Sequence, residues 1–199
     1  MAGLALFGGT FDPVHNAHLR IAEAAAACCG LERVLFIPSR RPPHRTEGTF
    51  ASYEDRFAMV QLACASDSRF EASRLESGTE KSYSIHTIEK ARAENEGPLY
   101  FLIGADAFAE IESWYLWRKV VEAVTFIVVS RPGAEYRVPD GAQVFQLEEV
   151  RLAISSSEIR RGLAQGTPQS ALPDSVAAYI EAHGLYQSRA EEAAKIDNL

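Results

Sequence analysis

Two histidines three residues apart, His15 and His18, stand directly after the stretch "FGGTFDPV" at 7–14. On a helix an i, i+3 pair shares one face, so both imidazoles address the same space. Gly8 and Gly9 end an apolar run. Glycine tolerates positive φ and, without a β-carbon, lets backbone N–H groups come close to a ligand. Asp12 is expected to close an Asx-turn and Pro13 to fix φ, which would make the loop rigid before anything binds. A helix starting near His15 would point its free N–H groups and the positive end of its dipole into that space, which suits a phosphate.

The pattern excludes two common phosphate loops. It is not GxxxxGK[ST], so the P-loop lysine is missing. Nor is it GxGxxG with an acidic residue after the next strand, so a dehydrogenase-type dinucleotide site is disfavoured. The histidines have no third ligand at a zincin-like spacing, which argues against metal. A helix cap and a satisfied core histidine is the bland alternative. Beside the glycines, the better reading is a pair of donors to a phosphate chain, stabilising charge that grows on a leaving group.

These residues need a scaffold, and the rest of the chain supplies one. Short apolar runs at 4–7, 33–38, 99–104 and 125–130 read as strands buried on both faces, with 144–147 as a weaker fifth. Helical patterns fall at 15–29, 52–66, 83–95, 113–122, 156–165 and 174–183. This alternation predicts an α/β fold, a Rossmann-like doubly wound parallel sheet with a C-terminal helical segment. Ligands then sit beyond the carboxyl ends of the strands, in the loops after Phe7, Pro38, Ile103 and Val129. One domain is expected over 1–187. The polar stretch 188–199 is expected to fray or to pack on a neighbour, and the sequence leaves a homo-oligomer open.

Composition narrows the setting. The 199 residues suffice for one well-buried core, with 47% hydrophobic and 24% charged residues as in ordinary globular domains. A net charge of -7 argues against nucleic acid as a partner, yet leaves room for a small anion bound by local positive charge such as "SRRPPHR" at 39–45. Cys28, Cys29 and Cys64 make no disulfide framework. No signal peptide is visible, and the longest apolar run, 123–129, is too short to span a membrane. A cytoplasmic protein without membrane contact is expected.

"GGTFDPVHNAH" resembles the GGTFDPxHxGH signature of the HxGH nucleotidyltransferase superfamily, with Ala17 where glycine is usual. "ISSSEIRRGL" at 154–163 is similar to the superfamily's ISSTxxR motif, although Ser155 and Glu158 alone read as a capping box. "GADAFAEIESWYLW" from Gly104 resembles the GxDxxxxxxxWY segment of bacterial nicotinate mononucleotide adenylyltransferases. So do "IPSRRPPHR" at 37–45, "KSYSIHTI" at 81–88, "SRPG" at 130–133 and "LPDSVAAYIEAHGLY" ending at Tyr186.

The resemblance implies an adenylyltransferase that joins nicotinate mononucleotide to the AMP moiety of ATP. It implies catalytic roles for His15, His18 and Arg160. It implies ATP contacts from those three and from Gly8, Gly9, Thr10, Phe11, Gly104, Asp106, Ser155 and Ser156. Mononucleotide contacts fall to Ser39, His44, Arg45, Ser84, Trp114, Tyr115 and Arg131. Trp114 suits a cationic pyridinium, since indole offers the best electron-rich face. Mg²⁺ is expected to arrive with ATP, because the sequence has no carboxylate cluster for it. The alternatives are the amide mononucleotide as substrate, or a nucleotide-binding sensor that kept the fold without catalysis. Pantetheine-phosphate adenylyltransferase shares the two superfamily motifs but not the WY and PPH segments.

Overall fold

The computed structural model describes residues 3–41, 48–78, 81–130, 136–148 and 155–187. His44, Arg45, Arg131 and the 188–199 tail lie outside them. Six parallel strands form one sheet: β1 (Gly3–Gly9), β2 (Leu31–Pro38), β3 (Phe70–Ala72), β4 (Leu99–Gly104), β5 (Thr125–Ser130) and β6 (Gln143–Glu148). Their order is β3-β2-β1-β4-β5-β6, so the winding reverses between β1 and β4. In an open parallel sheet that reversal leaves a crevice at the carboxyl ends.

The helices are α1 (Asn16–Cys29), α2 (Tyr53–Cys64), α3 (Ser84–Ala93), α4 (Ala105–Ala109), α5 (Trp117–Ala123), α6 (Ser156–Ala164) and α7 (Asp174–Ala182). Strand alternation decides which face each side chain serves. Ala5 and Phe7 of β1 join Leu19, Met59, Ile159 and Val176 in one core, under α1, α2, α6 and α7. Leu4 and Leu6 join Ile85, Phe108 and Val120 in the other, under α3, α4 and α5. Helices on both faces make the sheet doubly wound, as the alternation requires. Among the described residues no helix is long and apolar enough to cross a membrane.

Three local expectations are corrected. Gly8 and Gly9 belong to β1, and the positive φ of this region falls on Phe11, at 48°. The glycine requirement at 9 is therefore steric: a β-carbon there would stand 3.0–3.2 Å from the Phe11 ring. β3, three residues long, is too short to show a period and was not anticipated. The single helix expected over 113–122 is instead a 3₁₀ turn at Ile111–Ser113 and α5, with Leu116 left-handed at φ 53° between them. Trp114 and Tyr115 consequently sit in the connection between elements.

Candidate active site

α1 begins at Asn16, with His15 as its N-cap. The His15 N–H donates to Nδ1 of His18 at 3.2 Å, and the two rings stack with centroids 3.8 Å apart. An Nδ1 that accepts leaves the His18 proton on Nε2. The ring of Phe11 meets His18 edge-on at 5.1 Å and that of Phe7 lies 6.0 Å away. Burial pushes the His15 imidazole down to about 4. Burial, and then the charge that His15 would carry, hold His18 well below its ordinary range. Both are neutral N–H donors near pH 7, not cations.

Asp12 forms no Asx-turn. Its buried carboxylate reaches to the far side of the loop, where Oδ2 accepts from Phe50 N–H at 2.8 Å and Oδ1 from Ala51 N–H at 3.1 Å. The Tyr186 hydroxyl donates to Oδ1 at 2.8 Å. A buried charge has to be met by strong donors, and these three outcompete a local turn.

The same loop is gripped by α6. Ser155 and Glu158 form the capping box read from their spacing, with Glu158 N–H on Ser155 Oγ and Ser155 N–H on Glu158 Oε2, both at 3.2 Å. The residues that a cap leaves unexplained turn inward: Ser156 Oγ donates to the Pro13 carbonyl at 3.0 Å. Arg160 Nη1 donates to the Asp12 carbonyl at 2.7 Å, Nη2 to Ser157 Oγ at 3.2 Å, and its guanidinium lies 4.2 Å from the Phe50 ring centre.

Beside this loop, at the crevice between β1 and β4, opens a cleft of about 680 Å³. Gly8, Gly9 and Thr10 form one wall, with Ser39 from the end of β2. Gly104, Ser84, Trp114 and Tyr115 also line the cleft. Gly104 is the N-cap of α4, which places Asp106 in the exposed first turn and removes the plain reading of Asp106 as a cap. Trp114 packs edge-on against Phe101, centroids 6.0 Å apart, and the Tyr115 ring lies 4.7 Å from that of Tyr83. Ser84 is the first residue of α3, so the opening N–H groups of that helix border the aromatic wall. An aromatic wall beside a helix N-terminus fits an aromatic ring that carries an anionic group. Phe11 is buried against His18, and neither of them lines the cleft, nor do His15, Asp106, Ser155 and Ser156; Arg160 lines a separate groove with Phe50 and Tyr186.

Two residues at the site were not singled out from sequence. Arg56, 1% exposed, donates from Nη1 to the Thr10 carbonyl at 2.6 Å and the Ser39 carbonyl at 2.9 Å, tying the ends of β1 and β2 together. The signal was available: Arg56 falls on the apolar stripe of α2 with Tyr53, Phe57 and Val60. Glu76 borders the cleft and accepts from Thr87 Oγ1 at 2.7 Å; burial raises its carboxyl above the ordinary range. Nothing in its sequence surroundings marks it. Among the described residues no three His, Cys, Asp or Glu side chains group as a metal site.

The cytidylyltransferase-like family model matches residues 6–162. A chain from Solibacter usitatus named probable nicotinate-nucleotide adenylyltransferase is 54% identical over 186 residues, covering 92% of this chain and 98% of that one. One of the same name from Roseiflexus sp. is 39% identical, over 94% and 98%. Among solved structures, Plasmodium falciparum nicotinic acid mononucleotide adenylyltransferase complexed with NaAD superposes with a TM-score of 0.77 at 20% identity, over 94% of this chain and 98% of that one. At that identity the likeness speaks for the fold.

Proposed function

The chain belongs to the nicotinate-nucleotide adenylyltransferases of the cytidylyltransferase-like family, and from that premise we propose how its cleft performs the reaction. The enzyme joins nicotinate mononucleotide to the AMP moiety of ATP, giving nicotinate adenine dinucleotide and pyrophosphate. The phosphate oxygen of the mononucleotide attacks the α-phosphorus in line as the bond to pyrophosphate breaks. That oxygen is already anionic, so no strong base is required. Catalysis then reduces to positioning and to stabilising charge on the departing phosphates.

The observation that carries the site assignment is the stacked, neutral His15–His18 pair at the start of α1, with the His18 ring 6.0 Å from that of Phe7, which lines the cleft. Neutral donors held in a dry setting hydrogen-bond growing negative charge without needing to reorganise. His18 Nε2–H, His15 and the first N–H groups of α1 serve the triphosphate, with Arg160 adding permanent charge. Gly8, Gly9 and Thr10 let its backbone approach, Ser155 and Ser156 hold it from α6, and Gly104 and Asp106 take the ribose. The nicotinate ring lies against Trp114 and Tyr115, its carboxylate at Ser84. Ser39, His44, Arg45 and Arg131 serve the rest of the mononucleotide. Residues 1–187 act as one domain.

Enzymes of this family generally use a divalent metal with ATP. Mg²⁺ is the ion we propose. Phosphate oxygens and water are its preferred ligands, so it would arrive bound to ATP. When bound, it neutralises charge on the phosphate oxygens. The test of the reading is to incubate the protein with ATP and nicotinate mononucleotide and follow both products. Equimolar pyrophosphate and dinucleotide are expected; ATP binding without either product would leave a sensor.

A further inference from the structure

After α7 the chain turns through Gly184, at φ 60°, and Tyr186 takes φ 64°, a left-handed conformation uncommon for a side chain of its bulk. An outlier of this kind persists where its surroundings over-determine it. Here the Tyr186 hydroxyl reaches Asp12 Oδ1 at 2.8 Å, across 174 residues of sequence. Asp12 is 1% exposed, and its carboxylate also accepts from Phe50 N–H and Ala51 N–H. Its own carbonyl receives Arg160, whose guanidinium rests on the ring of Phe50. Tyr186, Phe50 and Arg160 therefore converge on one buried residue, three positions before His15.

We propose that Tyr186 is a positioning residue for adenylyl transfer, its hydroxyl acting through Asp12 to set the His15–His18 loop and Arg160. The inference deepens the assignment above and rests on it. Without the phenol donor, a buried carboxylate loses one of its three named partners and pulls differently on the 50–51 loop. That loop carries the ring on which Arg160 lies. Small displacements of groups that stabilise the transition state cost turnover far more than substrate affinity. Burial and the Asp12 charge raise the Tyr186 phenol far above its usual range, so the donor proton stays in place through alkaline pH.

The full-length Tyr186→Phe protein tests this. It should fold as the wild type does, with kcat lowered roughly tenfold, KM for nicotinate mononucleotide within about twofold, and faster exchange of the Ala51 amide. An unchanged kcat overturns the proposal whatever the melting temperature does. So does a loss carried by KM, or a lower kcat with Ala51 exchange unaltered. Ala51 exchange is read in the unliganded protein, so it still decides whether Tyr186 holds the loop if the wild type makes no dinucleotide. That last result would count against the functional assignment alone. Should Tyr186→Phe fail to fold, Phe50→Ala keeps the 50 N–H and removes only the ring under Arg160; there kcat should fall with Ala51 exchange near wild type, and an unchanged kcat overturns the proposal.

Discussion

The main-chain N–H of His15 donates to Nδ1 of His18 at 3.2 Å, and that bond assigns the His18 proton to Nε2. His18→Ala should lower kcat on the order of a hundredfold or more, as removal of a transition-state donor does. Glutamine places an amide nitrogen near the former Nε2, whereas asparagine places one nearer Nδ1. His18→Gln should thus keep more activity than His18→Asn. Steady-state rates for the three variants check this; near-wild-type turnover in His18→Ala would refute the role.

Stability should fall with acid in a window set by the buried imidazoles. His15 is held at about 4 in the folded protein against 6.5 in an unfolded chain. Between those values the unfolded state binds more protons, so stability is complete above about pH 6.5 and declines as pH drops toward 4. One such group is worth about 2 kcal/mol by pH 5. His15→Asn keeps a good N-cap and should flatten the slope. Urea unfolding at pH 7.5 and pH 5 for both proteins measures it, and equal slopes would show that His15 is not the group responsible.

Trp114→Ala should raise KM for the mononucleotide and leave KM for ATP nearly unchanged, because Trp114 lines the cleft beside Tyr115 and the start of α3, where the mononucleotide ring is proposed to lie. A stacked cationic ring is worth on the order of 1–2 kcal/mol, or roughly a tenfold change in KM. Initial rates with each substrate varied in turn are sufficient. Equal changes in both constants would mean that the indole packs and does not bind.

Arg56→Met should destabilise the protein by about 2–4 kcal/mol, since it removes the donor that satisfies two carbonyls at 2.6 and 2.9 Å. Those carbonyls belong to Thr10 and Ser39, just past the ends of the paired strands β1 and β2 in one wall of the cleft. Activity should fall alongside stability. Urea midpoints read the first effect, and an unchanged midpoint would contradict it.

How legible all this was in the sequence depended on range. The doubly wound sheet followed from periodicity, because Ala5 and Phe7 must serve one core and Leu4 and Leu6 the other. The capping box at Ser155 and Glu158 is local and was readable from spacing. The Asx-turn expected at Asp12 does not form because its partners lie 38, 39 and 174 residues away, beyond any local pattern. Of the two reasons for Gly9, positive φ passes to Phe11, and the crowding of a β-carbon at 9 by the Phe11 ring is visible only once the loop is folded. Arg56 is legible as a charge on the apolar stripe of α2, but its two carbonyl partners are not.

The central claim is that the cleft pairs ATP with the acid mononucleotide, its pyridine ring on Trp114 and its carboxylate at the start of α3. The most direct measurement is kcat/KM for nicotinate mononucleotide and for nicotinamide mononucleotide, each with ATP and Mg²⁺. The acid should be preferred by roughly tenfold or more, as expected where a charged group meets dedicated donors. Equal values, or preference for the amide, would contradict it.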